Sequence, residues 1–136
     1  MRSEHAIEDR PCFLREAWKR FGPGLADRVR RGGERLLFDC AEGTQRQLLR
    51  SSVGLVELGE IFVTHFHADH ILGLPGLFKT FSLRGRERPL EVHGPRGLVD
   101  LLGSLKRVVG KLSYEVRVVE VEPGDVLERD GYRLAA

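Results

Sequence analysis

The chain has 136 residues, with 22 Lys and Arg against 20 Asp and Glu, and 41% of it is hydrophobic. That apolar share excludes wholesale disorder, and no run approaches the ~18 uncharged residues of a membrane span. Charges fill the first dozen residues, where the apolar stretch of a secretory signal would sit, and the net charge of +2 is no footprint of a nucleic-acid binder.

Eighteen of the 22 basic residues are Arg. The guanidinium fork suits phosphate, but a coding bias toward Arg yields the same count. Two cysteines, Cys12 and Cys40, in a chain without an export signal argue against a disulfide scaffold and for the cytoplasm.

In chain order, Leu14, Ala17, Trp18 and Phe21 fall at helical spacing before a Gly-Pro-Gly breaker. From Arg30 the pattern becomes regular. Leu36, Leu37 and Phe38 form a short buried strand after the Gly32–Gly33 turn. Thr44 is placed to cap a helical turn or two over Gln45 to Arg50. Ile61, Phe62 and Val63 make a second apolar strand, which runs directly into Thr64-His65-Phe66-His67-Ala68-Asp69-His70.

The sequel, Ile71 to Leu83, reads as one buried helix. Leu90 to His93 is a strand bounded by Pro89 and Gly94-Pro95. Pro95 to Val109 is the clearest helix, its apolar positions at i, i+3, i+4 and i+7. Tyr114, Val116 and Val118 alternate with charges toward Val121, as in a half-buried strand. A turn at Pro123-Gly124-Asp125 precedes the strand start at Tyr132 to Ala136. Alternating strands and helices indicate an α/β layered fold.

The chemistry concentrates in His65, His67, Asp69 and His70. In extended chain, side chains two apart point the same way, so His65 and His67 can grip one metal ion from one side. Asp69 and His70 diverge in direction and suit a second ion. Imidazole and carboxylate are the donors of a zinc pair with an open position. Asp69, beside such a pair, is placed to take or hold a proton during hydrolysis of an ester, amide or phosphodiester. A scatter of surface histidines fits poorly, because the clustering is tight.

THFHADH resembles the HxHxDH motif of the metallo-β-lactamase superfamily. LLFDCAEGTQRQLLRS before it and ILGLPGLFKTFSLRGRERPLEVHGP after it are similar to the ribonuclease Z family, endonucleases that trim the 3′ trailer from precursor tRNA. The resemblance spans about residues 30 to 136, leaving 1–29 as a segment outside the family pattern. It implies an α/β sandwich of metallo-β-lactamase type, with layers αββα. This chain would carry its N-terminal half, a mixed sheet with flanking helices, truncated.

By the same resemblance, His65 and His67 hold one Zn2+, Asp69 and His70 the second, and Asp69 is the general base. Asp39, Glu42, Gly43, Thr44 and Gln45 form a loop beneath them, in which Ala41 stands where the family more often has Gly. Precursor tRNA is the implied substrate and a homodimer the implied assembly. The family's further metal ligands and its tRNA-binding arm fall beyond Ala136, so the chain alone is expected to be inactive. An unpaired half is also expected to leave an apolar sheet face uncovered.

Two other readings stay open. One is another hydrolase of this fold, acting on a small phosphodiester or an arylsulfate ester. The other is a non-catalytic remnant. Among lesser signals, Arg84, Arg86 and Arg88 read as a solvated turn rather than a phosphate contact. His93 reads as a strand-end residue rather than a ligand, and Cys40 as a small buried apolar residue.

Overall fold

The computed structural model describes residues 27–31, 34–50, 58–129 and 132–136. The helix expected over Leu14 to Phe21 lies outside them. Strands β1 (Asp27–Arg31), β2 (Glu34–Phe38), β3 (Leu58–Phe62), β4 (Leu90–Gly94) and β5 (Val116–Glu120) form one sheet in that order. β1 runs antiparallel to β2, while β2 to β5 are mutually parallel. Parallel neighbours need crossovers. These are supplied by α1 (Thr44–Arg50), then α2 (Ala68–Ile71) with α3 (Leu74–Leu83), and finally α4 (Leu98–Val109). A hairpin of β6 (Val126–Arg129) and β7 (Tyr132–Ala135) follows.

Register determines which face each residue serves. Leu37, Ile61, Val92 and Val118 are successive partners across the sheet. With Leu48 of α1, Leu77 and Phe81 of α3, and Leu98 and Leu102 of α4 they build the main core. The next row, Phe38, Phe62 and His93, points to the opposite face. There Leu36, Phe38 and Phe62 meet Leu134 and Leu127 of the hairpin in a smaller cluster. The expected uncovered apolar face is not what this side of the sheet presents: Leu127 and Leu134 pack on its apolar part, and Glu60 and Glu91 share the same side of β3 and β4.

Three helical expectations are corrected. The segment Ile71 to Leu83 is not one helix. It breaks at Gly73, whose N–H donates to the Cys40 carbonyl at 2.8 Å. A Cβ there would stand 2.1 Å from the Ala41 carbonyl oxygen, so the approach of these two backbones requires glycine. The helix expected from Pro95 starts at Leu98, because Gly97 adopts the left-handed φ of 98°. Glu120 of β5 then accepts from the Gly97 and Val99 N–H groups, capping α4 where the helix dipole favours an anion. Val108, placed in the core by periodicity, is 77% exposed.

Arg86 is the largest departure on the surface. It is buried rather than solvated, and donates to the carbonyls of Leu58, Arg88 and Pro89 at 2.7 to 2.9 Å. Its guanidinium lies 4.7 Å from the Phe81 ring centroid. Arg86→Met retains the packed stem but deprives three carbonyls of their donor. The expected loss is about 2–4 kcal/mol of stability, read from the urea midpoint. β1 and β6 were not expected, since each offers too few consecutive apolar residues to mark a strand.

Candidate metal centre

The site is assembled at the carboxyl ends of the parallel strands, where open α/β sheets place their ligands. Asp39 follows β2, Thr64 and His65 follow β3, and the sheet bonding continues past both strand ends. The Asp39 N–H donates to the Phe62 carbonyl and the Val63 N–H to the His93 carbonyl, each at 2.7 Å. Asp39 takes a left-handed φ of 57°, a conformation that Asp tolerates better than most residues. This turn aims its carboxylate across the strand ends.

That carboxylate is buried and organises the centre. One oxygen accepts from the Thr64 N–H at 2.8 Å. The other lies 2.8 Å from both the Thr64 hydroxyl and His70 Nδ1. A carboxylate on Nδ1 fixes the imidazole with Nε2 as the free donor, the usual device behind a metal-ligating histidine. The Thr64 hydroxyl also sits 2.9 Å from His65 Nδ1, so one buried pair, Asp39 and Thr64, orients two imidazoles.

His70 and Asp69 lie on the short helix α2. The Cys40 backbone clamps that helix from both sides: its N–H donates to the His70 carbonyl at 2.7 Å and its carbonyl accepts from Gly73. Burial pushes the Cys40 thiol up to about 12, with only partial opposition from Thr44. A thiol held protonated is no metal ligand, which agrees with the expected apolar role.

His65, Asp69 and His70 each bring a donor atom within 4.8 Å of the others. His70 Nε2 stands 3.3 Å from an Asp69 carboxylate oxygen. Metal–donor bonds of about 2.0–2.2 Å in tetrahedral array put neighbouring donors about 3.4 Å apart, so this spacing fits a bound divalent ion. His67 is exposed and outside this trio, with its ring centroid 4.7 Å from that of His65. The geometry thus groups one histidine of each expected pair with Asp69. Desolvation first, then neighbouring His70 and His67, hold the His65 pKa below the ordinary imidazole value. The neutral, ligating form of His65 therefore persists to lower pH.

Of the loop assigned by resemblance, Asp39 makes direct contact with the site and Thr44 is buried beneath it, whereas Glu42 faces solvent. Sequence reasoning missed Thr64. Its one available signal was its place immediately before the first histidine.

A strand-end site of clustered imidazole and carboxylate on a mixed sheet with helices over one face is the arrangement of a known hydrolase fold. The metallo-beta-lactamase superfamily model matches residues 21–133, and the chain belongs to that superfamily. Within it the chain is similar to ribonuclease Z of Methanosarcina mazei, with 51% identity over 106 residues covering 76% of this chain and 34% of the relative. Ribonuclease Z of Listeria innocua is 42% identical over 101 residues, covering 74% and 33%.

Among solved structures, the short form of human tRNase Z matches with a TM-score of 0.64 and 41% identity, over 70% of this chain and 38% of that one. The long-form RNase Z from yeast shares the fold at a TM-score of 0.66 and 22% identity, over 76% and 14%. The chain spans about a third of the length of the curated relatives it matches. Membership of this fold, together with the converging donors, implies use of a divalent metal.

Proposed function

We propose that the chain carries part of the metal centre of a zinc-dependent endonuclease that removes the 3′ trailer from precursor tRNA. The observation that carries the reading is the pairing of Asp39 with His70 and Thr64 beneath a donor cluster, on a chain 51% identical over 106 residues to a ribonuclease Z. Residues 30–136 are read as a partial metallo-β-lactamase-like domain and 1–29 as a segment outside the ribonuclease Z pattern, with the superfamily match reaching back to residue 21.

In this reading His65, His67, Asp69 and His70 are the metal ligands. Two zinc ions, when bound, supply Lewis acidity and an activated water to the scissile phosphodiester. The chain's own residues do the rest. Asp39 and Thr64 lock the imidazoles so that no reorganisation is needed at the moment of reaction. Asp69, its side chain 58% exposed, is the group open to substrate and serves as general base. Cytoplasmic location and a homodimeric assembly are parts of the same proposal. No helix among the described residues is long and apolar enough to cross a membrane.

The test is a chimera in which the aligned segment of the M. mazei ribonuclease Z is replaced by its counterpart here. Release of the 3′ trailer from a precursor tRNA, abolished by a chelator and restored by zinc, is the expected result. A folded, metal-loaded chimera that leaves precursor tRNA intact but hydrolyses a small phosphodiester or an arylsulfate would replace this reading with the other hydrolase class.

A further inference from the structure

A second donor cluster lies on the sheet itself, away from the loop after β3. Glu60 and Glu91 are register partners on β3 and β4. His93 follows Glu91 by two residues on the same strand and therefore shares its face. The three present one donor atom each within 4.8 Å of one another.

His93 is the informative member. Only 3% of it is exposed, yet neither ring nitrogen has a hydrogen-bond partner among the described residues. Leaving buried polar atoms unsatisfied is costly, and such atoms in a native structure call for an explanation. Phe62 stacks on the imidazole with ring centroids 4.6 Å apart, which fixes the plane of the ring and aims Nε2 at the carboxylates. Nε2 lies 3.3 Å from an oxygen of Glu60 and 3.3 Å from an oxygen of Glu91.

A charge-assisted imidazolium–carboxylate hydrogen bond closes to about 2.7–2.9 Å. Two equal separations at 3.3 Å are longer than that. They match the donor–donor edge of about 3.4 Å around a tetrahedral ion. The same 3.3 Å separates His70 Nε2 from Asp69 in the metal centre. One nitrogen and two carboxylate oxygens form a donor set for a borderline divalent cation such as zinc rather than for calcium or magnesium. The Glu91 side chain is 38% exposed and that of Glu60 17%, so an ion has an entry path from solvent on the Glu91 side.

We propose that Glu60, Glu91 and His93 form a second divalent-cation site, a structural clamp tying β3 to β4. It is independent of the tRNA-processing reading, since it uses no residue of the loop cluster. An ion there bridges two carboxylates that the register sets side by side, and stabilises the folded state by mass action.

The experiment uses the full chain carrying His65→Ala, His67→Ala and Asp69→Asn, three substitutions at exposed or half-buried positions that silence the loop. Equilibrium dialysis against zinc is expected to find one ion still bound per chain, with the melting temperature raised by about 5 °C or more. Adding Glu91→Gln, at a partly exposed position, is expected to weaken zinc by at least about 10-fold. His93→Phe keeps the stack on Phe62 and is expected to abolish binding, with the circular dichroism spectrum unchanged. Absence of zinc from the loop-silenced chain would overturn the site. So would a zinc affinity indifferent to Glu91→Gln, which would make the three residues an ion-paired cluster only.

Discussion

Asp39→Ala is expected to lower stability by about 3–5 kcal/mol and zinc affinity by about 10–100-fold. The first effect follows from what the carboxylate leaves behind. The Thr64 N–H, the Thr64 hydroxyl and His70 Nδ1 all lose their buried acceptor at once, and a buried donor without a partner costs most of its desolvation. Alanine is also strained at the φ of 57° that Asp39 adopts.

The second effect is separable from the first. Asp39→Asn tolerates the left-handed backbone and keeps an acceptor oxygen, so it restores much of the stability while holding His70 less firmly. Urea denaturation alongside zinc titration of the two variants distinguishes them. Equal zinc affinity in Asp39→Ala and the parent would show that Asp39 serves the fold alone.

Asp69→Asn has the opposite profile. Its side chain is 58% exposed, and stability is expected to change by no more than about 0.5 kcal/mol. In the chimeric ribonuclease Z, trailer cleavage is expected to fall by about 10³-fold or more, because the substitution removes both a metal donor and the proposed base. The KM for precursor tRNA should hold, since nothing assigns Asp69 a part in binding the RNA. A rate within a few-fold of the parent would remove Asp69 from the chemistry.

The contrast between these two aspartates also explains what was legible in the sequence. Asp69 stands in a cluster so dense in metal-binding side chains that composition alone marks it. Asp39 lies 31 residues from the histidine it orients, and no periodicity links them. Only the parallel pairing of β2 with β3 brings them together, and only the family resemblance flagged its loop.

The core strands and α4 were readable because burial on one face writes a period of 2 or 3.6 into the residues. The break at Gly73 was not, because it answers to a close approach of the Cys40–Ala41 backbone that a local pattern does not carry. Arg86 failed for a similar reason. A guanidinium between charged neighbours reads as solvent-facing, whereas here three carbonyls and an aromatic ring take it inside. His93 reads in sequence as a strand-end residue, packed or exposed, rather than a ligand. It is packed, but the carboxylates around its Nε2 come from strand register, and Glu60 is 33 positions away in sequence.

The segment running from the end of β3 into α2 carries the donors of a divalent-metal centre on a preformed base. The decisive comparison is zinc titration of the metal-free chain, followed by the heat of binding, beside the same titration of the chain with His65→Ala, His67→Ala and Asp69→Asn. The parent is expected to bind a tight class of zinc that the triple variant has lost, while the variant keeps the parent's circular dichroism spectrum. Superimposable isotherms for the two folded chains would contradict it.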